Sequence, residues 1–184
     1  AQFDRWIGEP ESRALMYANV FFDLRPVDGD ELLAGELQAW VIDRTHEDRG
    51  FFPFFAKSAT ENPPPLGFFR NLMVERSGEN RDTFDIKSRA MMPLADAARV
   101  LVYDLGIRLF GSTPQRWARV AEAEPGLRSL AEAAATSYEI LMRLRAKEGL
   151  RHGTSGRYVH IDELSKLERQ TLRNTFDVVQ DVQR

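Results

Sequence analysis

Leu127, Leu130, Ala134, Tyr138 and Leu141 recur at three- and four-residue steps, and no proline or glycine interrupts the chain from there to Gly149. That spacing sets them on one side of a helix. Over 127–148 such a helix would run about 33 Å. An apolar stripe of that length is unstable in water alone and needs other elements to cover it.

The remaining sequence supplies those covers. Pro10 sits at the first turn of a helix over Glu11–Leu24, with Leu15, Ala18 and Phe22 on one face. Pro26 and Gly29 break the chain, and Asp30 is placed to cap a second helix over Glu31–Arg44, with Leu33, Leu37, Trp40 and Val41 turned inward. A short aromatic helix is expected over Phe51–Ala59, with Pro53 in its first turn. Pro93–Leu105 carries Leu94, Ala97, Ala98, Leu101 and Leu105 on one stripe and is closed by Gly106. Thr113-Pro114 opens a short helix to about Glu124, and Gly149 is read as the stop of the long one. The last helix starts at a capping box, Ser165 with Glu168, and continues through Leu172, Phe176, Val179 and Val182. The helices over 127–148 and 166–183 are expected to pack on each other and on Pro93–Leu105.

Three consecutive prolines, Pro63 to Pro65, permit no helix and mark a rigid extended connector. Beyond them the period changes. Phe68–Glu75 and Asp82–Ser88 flank Ser77-Gly78-Glu79-Asn80, which reads as a hairpin over about 68–88. In its second strand Phe84 and Ile86 would face one side, Asp85 and Lys87 the other. Residues 149–160 read as a polar loop. The expected fold is mainly α, a helical bundle with one small β-hairpin.

At 184 residues the chain suits one domain. Its lack of cysteine excludes disulfides, thiolate metal sites and cysteine nucleophiles. A net charge of −3 argues against a nucleic-acid partner. No apolar run reaches the ~18–20 residues of a membrane span, and no signal peptide opens the chain, so a cytoplasmic location and no membrane partner are expected. The start at Ala1, without methionine, reads as a piece of a larger protein.

Catalytic signals are sparse. There is no phosphate-binding glycine loop, and Gly111-Ser112 lacks the Asp-x-Asp pair that nucleotidyl transfer would need after it. The histidines are His46, His152 and His160, with no His–His pair at four-residue spacing, so no metal site and no catalytic residue is assigned. Arg145 and His152 fit a loose ribonuclease spacing, but 21 arginines make such a match expected by chance. Phe51, Phe52, Phe54, Phe55, Phe68 and Phe69 could stack on bases, yet aromatic density beside a proline connector more often builds core.

Four segments in order resemble one family: Phe21-Phe-Asp-Leu-Arg25-Pro-Val-Asp-Gly-Asp30, Pro64-Pro-Leu-Gly-Phe-Phe69, Asp85-Ile-Lys87 with Met92-Pro-Leu-Ala-Asp96-Ala-Ala-Arg99-Val100, and Leu164-Ser-Lys-Leu-Glu-Arg169. Together they resemble the nucleotidyltransferase substrate-binding domain, C-terminal in bacterial signalling proteins that also carry cyclic-nucleotide-binding, CBS and nucleotidyltransferase domains. The family is similar in layout to the PII-protein uridylyltransferases and glutamine synthetase adenylyltransferases. The resemblance spans essentially the whole chain. It implies that residues 1–10 are the tail of an upstream linker or nucleotidyltransferase domain, and 11–184 a helical substrate-binding domain.

It further implies a partner in that upstream domain of the same chain, an acceptor protein as a second partner, and no catalysis by this stretch alone. Mg²⁺ and a nucleoside triphosphate would belong to the parent protein, with no cofactor in this stretch. Carried over residue by residue, Arg25 and Asp30 fit an Arg-x(3)-Gly-Asp element, and Asp85 and Lys87 an Asp-x-Lys element. Arg99 joins them as a fifth substrate-binding residue. Where relatives carry paired glycines after the lysine, this chain has Ala90-Met-Met-Pro93. Two other readings stand beside this one. Asp85–Lys87 and Arg25–Asp30 could be local ion pairs, and the domain could be a regulatory interaction module that binds no substrate.

Overall fold

The computed structural model describes residues 2–48, 50–60, 74–75, 77–109 and 111–184. Among them are eight α-helices: α1 Gln2–Gly8, α2 Ser12–Phe21, α3 Glu31–Glu47, α4 Phe51–Thr60, α5 Met92–Asp104, α6 Thr113–Ala123, α7 Arg128–His152 and α8 Lys166–Val182. Two short strands, β1 Thr83–Asp85 and β2 Tyr158–His160, pair antiparallel with Phe84 opposite Val159. The fold is mainly α with one small two-stranded sheet.

Caps fix several helix starts. Asp30 accepts a hydrogen bond from Leu32 N at 2.9 Å, and Ser165 and Glu168 form the expected reciprocal box at the start of α8. At α6 the box is Ser112 with Gln115, one residue ahead of the expected Thr113. Glu168 serves twice, because it also pairs with Lys147 of α7. That pairing and the Ser165 contacts hold its carboxyl down to about 2.

Two apolar cores share α5 as a wall. The larger buries Phe84, Leu94, Trp117, Leu141, Leu172 and Phe176. Full burial of each such side chain contributes roughly 1.5–3 kcal/mol. Trp117 also satisfies its indole N–H, donating to Leu94 O at 3.1 Å. The smaller core gathers Ile7, Ala18, Phe22, Val41, Ile42, Phe51 and Phe55 around Tyr103 of α5. Tyr103 stacks on Phe22 at 5.3 Å and donates its hydroxyl to Phe22 O at 2.8 Å. Phe51 and Phe55 are therefore core residues; Phe68 and Phe69 lie outside the described residues. As expected, α7 packs on α8, and α8 on α5; α7 also lies on α6 and on the π-helical turn Lys87–Met91 that leads into α5.

Three expectations change. Leu33 and Trp40 of α3 are exposed; the buried stripe is Gln38, Val41, Ile42 and Thr45, because the helix turns that face to α1 and α5. Helix α7 runs past Gly149 to His152 and stops at Gly153, which takes the left-handed conformation (φ +65°). The stretch read as a polar loop contributes β2, which pairs with Thr83–Asp85. The expected turn does form, since Glu75 N donates to Thr83 O at 2.8 Å and Asp82 N to Glu75 O at 2.9 Å. The first strand of that hairpin falls mostly outside the described residues.

Candidate functional site

Arg99 projects from α5 into a knot of charge between the two cores, with 9% of its side chain exposed. Its Nη1 donates to Asp96 Oδ1 at 2.8 Å and Asn19 Oδ1 at 3.1 Å, and its Nη2 to Asp23 Oδ2 at 3.1 Å. Asp23 is also held by Arg116 of α6, itself buried. Burial pushes the Asp23 carboxyl up, but Arg116 and Arg99 outweigh it and leave the group below its ordinary range. At Asp96 burial wins over Arg99, and the carboxyl lies above that range. Burial likewise pushes the Tyr103 phenol up.

Asp23 lies in the turn two residues past the end of α2, so these forks anchor the loop that carries Arg25 two residues later. Arg25 itself is exposed and makes no ion pair or hydrogen bond to another described residue. Asp30 is occupied as the α3 cap rather than by Arg25. The alternative of a local Arg25–Asp30 ion pair does not form; the loop is held instead by the long-range Asp23–Arg99–Arg116 contact.

The second group lies at β1. Asp85 is buried and accepts from Arg157 Nη2 at 2.7 Å, Arg157 Nε at 3.0 Å and Ser88 N at 3.0 Å. Its partner is Arg157, not Lys87. Ile86 already has helical dihedrals, which ends the strand alternation and releases Lys87 to solvent. Twelve residues of continuous helix separate Lys87 from Arg99, about 18 Å. The five candidate residues therefore form two groups, Arg25 with Arg99 through Asp23 and Asp85 beside Lys87, with Asp30 as a cap.

Burial pushes Asp85 up, but Arg157 and the Ser88 amide and hydroxyl more than compensate, and the carboxyl lies below its ordinary value. A depressed carboxyl contributes stability above its unfolded pKa, about 3.9, and loses it as pH falls through the folded value. Asp85→Asn should cost about 1–2 kcal/mol at pH 7, discounted because Arg157 is 40% exposed. Urea unfolding should show this gap closing between about pH 4 and the depressed pKa. A gap that is the same at pH 7 and pH 3 would contradict the pairing.

Two arginines and one cluster of three residues are not marked as a site by the sequence. Arg116 and Arg157 are 93 and 72 residues from their partners, and nothing local marks them. Glu148, His152 and His160 also meet at the end of α7. The four-residue spacing of Glu148 and His152 on one helix is the local signal for that cluster.

The architecture alone names no function, and the sequence is more specific. The chain belongs to the family described as putative nucleotidyltransferase substrate binding domain, which it matches over residues 49–184. The match contains Asp85, Lys87 and Arg99; Arg25 and Asp30 precede it. No curated protein and no solved structure gives a significant match. Among the described residues, no helix is long and apolar enough to cross a membrane.

Proposed function

We propose that this chain is the substrate- or acceptor-binding half of a signalling nucleotidyltransferase of the PII-uridylyltransferase kind, inactive alone and acting beside a catalytic domain in the same protein. Family membership supports the general role. The observation that carries the site is the contrast between anchored and free cations. Arg99, Arg116 and Arg157 are spent on buried or partly buried aspartates, whereas Arg25 and Lys87 stand exposed next to those anchors. Free cations on braced backbone suit a triphosphate, with its Mg²⁺, or the acidic surface of an acceptor protein.

Label transfer from a nucleoside triphosphate, measured on the full-length protein, tests this reading. Lys87→Ala should weaken transfer by about 1.5–3 kcal/mol, roughly 10- to 150-fold. Melting of the domain should stay nearly unchanged, because Lys87 is exposed. Undiminished transfer in both Lys87→Ala and Arg25→Ala would sink the proposal. If effector response were lost at the same time, the regulatory-module reading would take its place.

A further inference from the structure

Glu148 is fully buried near the end of α7, and its Oε1 has no hydrogen-bond partner. Its surroundings do not neutralise it by direct contact. Arg151 Nη1 stands 3.9 Å from Oε1, but lies closer to Glu163, at 3.1 Å. Oε2 receives one long hydrogen bond, from His160 N at 3.4 Å. Around the same oxygen stand two imidazole nitrogens, His152 Nε2 at 3.6 Å and His160 Nδ1 at 3.7 Å. Both distances are too long for good hydrogen bonds, and His160 Nδ1 is itself buried and unpartnered. The two rings lie 4.5 Å apart, tilted by 37°, which brings both to the same carboxylate.

Both the spacing and the donor types fit one cation. Zinc bonds of about 2.0–2.1 Å in a tetrahedron put neighbouring ligand atoms roughly 3.3–3.5 Å apart; the two carboxylate–imidazole distances are close to that, and all three ligand atoms lie within 4.8 Å of one another, so the rings must draw in to close the site. Two imidazoles and a carboxylate favour a first-row transition ion over Mg²⁺ or Ca²⁺, which take oxygen shells. Glu163 Oε2, held by Arg151 at 3.1 Å, lies 3.3 Å from His152 Nε2 but outside the cluster of three.

We propose that Glu148, His152 and His160 bind one divalent transition-metal ion, with Zn²⁺ the natural occupant. The ion joins the end of α7 to β2, and through β2 to the strand that carries Asp85. The site is independent of the substrate-binding role argued above, and its test does not use transfer activity. The 184-residue chain, stripped with chelator, should bind one equivalent of Zn²⁺ by calorimetry. Co²⁺ should give the intense visible bands of four-coordination. His152→Ala and His160→Ala should each weaken Zn²⁺ binding at least 10-fold. In the unsubstituted chain, proton NMR should show Zn²⁺ shifting the His152 and His160 ring signals while leaving His46 in place, which decides the matter if a variant does not fold. Absence of saturable binding, or binding that ignores both substitutions, or shifts confined to His46, would overturn the proposal.

Discussion

An Arg99→Ala chain is expected to lose about 3 kcal/mol of stability at pH 7, the lower end of the range for breaking a buried ion pair. In a chain of this size that lowers the melting temperature by roughly 6–12 °C. The loss falls mainly on Asp96, whose side chain is 14% exposed and whose nearest cation is Arg99. Asp23 keeps Arg116 and suffers less. Arg99→Lys should recover only part of the loss, because one ammonium cannot bridge Asp96, Asn19 and Asp23 as the guanidinium does.

The pH dependence follows from Asp96, whose folded carboxyl already titrates above the ordinary range. Without Arg99 its charged form costs more, and protonation removes that cost. The gap between parent and variant should therefore narrow as pH falls through the raised pKa. Adding Asp96→Asn to Arg99→Ala should restore part of the stability at pH 7, a coupling that a double-mutant cycle measures. If Arg99→Ala stays within about 0.5 kcal/mol of the parent, the guanidinium is solvated and the anchor for the Arg25 loop does not exist.

That anchor also marks where sequence reading reached and where it stopped. Helical periodicity is local, so α2, α4, α5 and α8 were legible from apolar spacing, and Asp30 and the Ser165–Glu168 box from cap chemistry. The inward face of α3 was misread because Leu33 and Trp40 are apolar yet exposed, while Gln38 and Thr45 are buried. Gln38 is tolerated there because it donates to Leu109 O at 3.0 Å, and Thr45 because it donates to Ile42 O at 2.8 Å. Composition cannot reveal such satisfied polar groups. Asp85 lies on a strand, as its alternation suggests, but its partner Arg157 arrives just before β2, 72 residues away. Arg99 reads from the sequence as a substrate-binding candidate; only geometry reveals that its forks are occupied by protein groups.

Gly156→Ala should be as damaging as any substitution discussed here, for a reason confined to backbone. Gly156 has φ +64°, and a β-carbon there would overlap the carbonyl oxygen of Arg145 and come within 2.8 Å of Gly149 N. Both obstacles belong to α7, so no flexible side chain can yield. The left-handed conformation alone costs an alanine about 1–2 kcal/mol, and relieving the overlap requires the loop to lift from the helix. Lifting would strain the Arg145 Nε to Ser155 O bond (3.1 Å) and the Ile86 N to Arg157 O bond (3.0 Å), which tie the segment just before β2 to α7 and to the residue just after β1. A total near 3–4 kcal/mol is expected by urea unfolding, within the tail reserved for backbone strain and lost packing. Gly153→Ala is the matched control: its φ is also +65°, but a β-carbon there meets nothing within 4 Å. It should cost only the conformational part, about 1–2 kcal/mol. Equal losses at the two glycines would mean that the loop does not press on α7. The larger loss at Gly156 would establish close backbone approach as the force that returns His160 to Glu148 and Arg157 to Asp85.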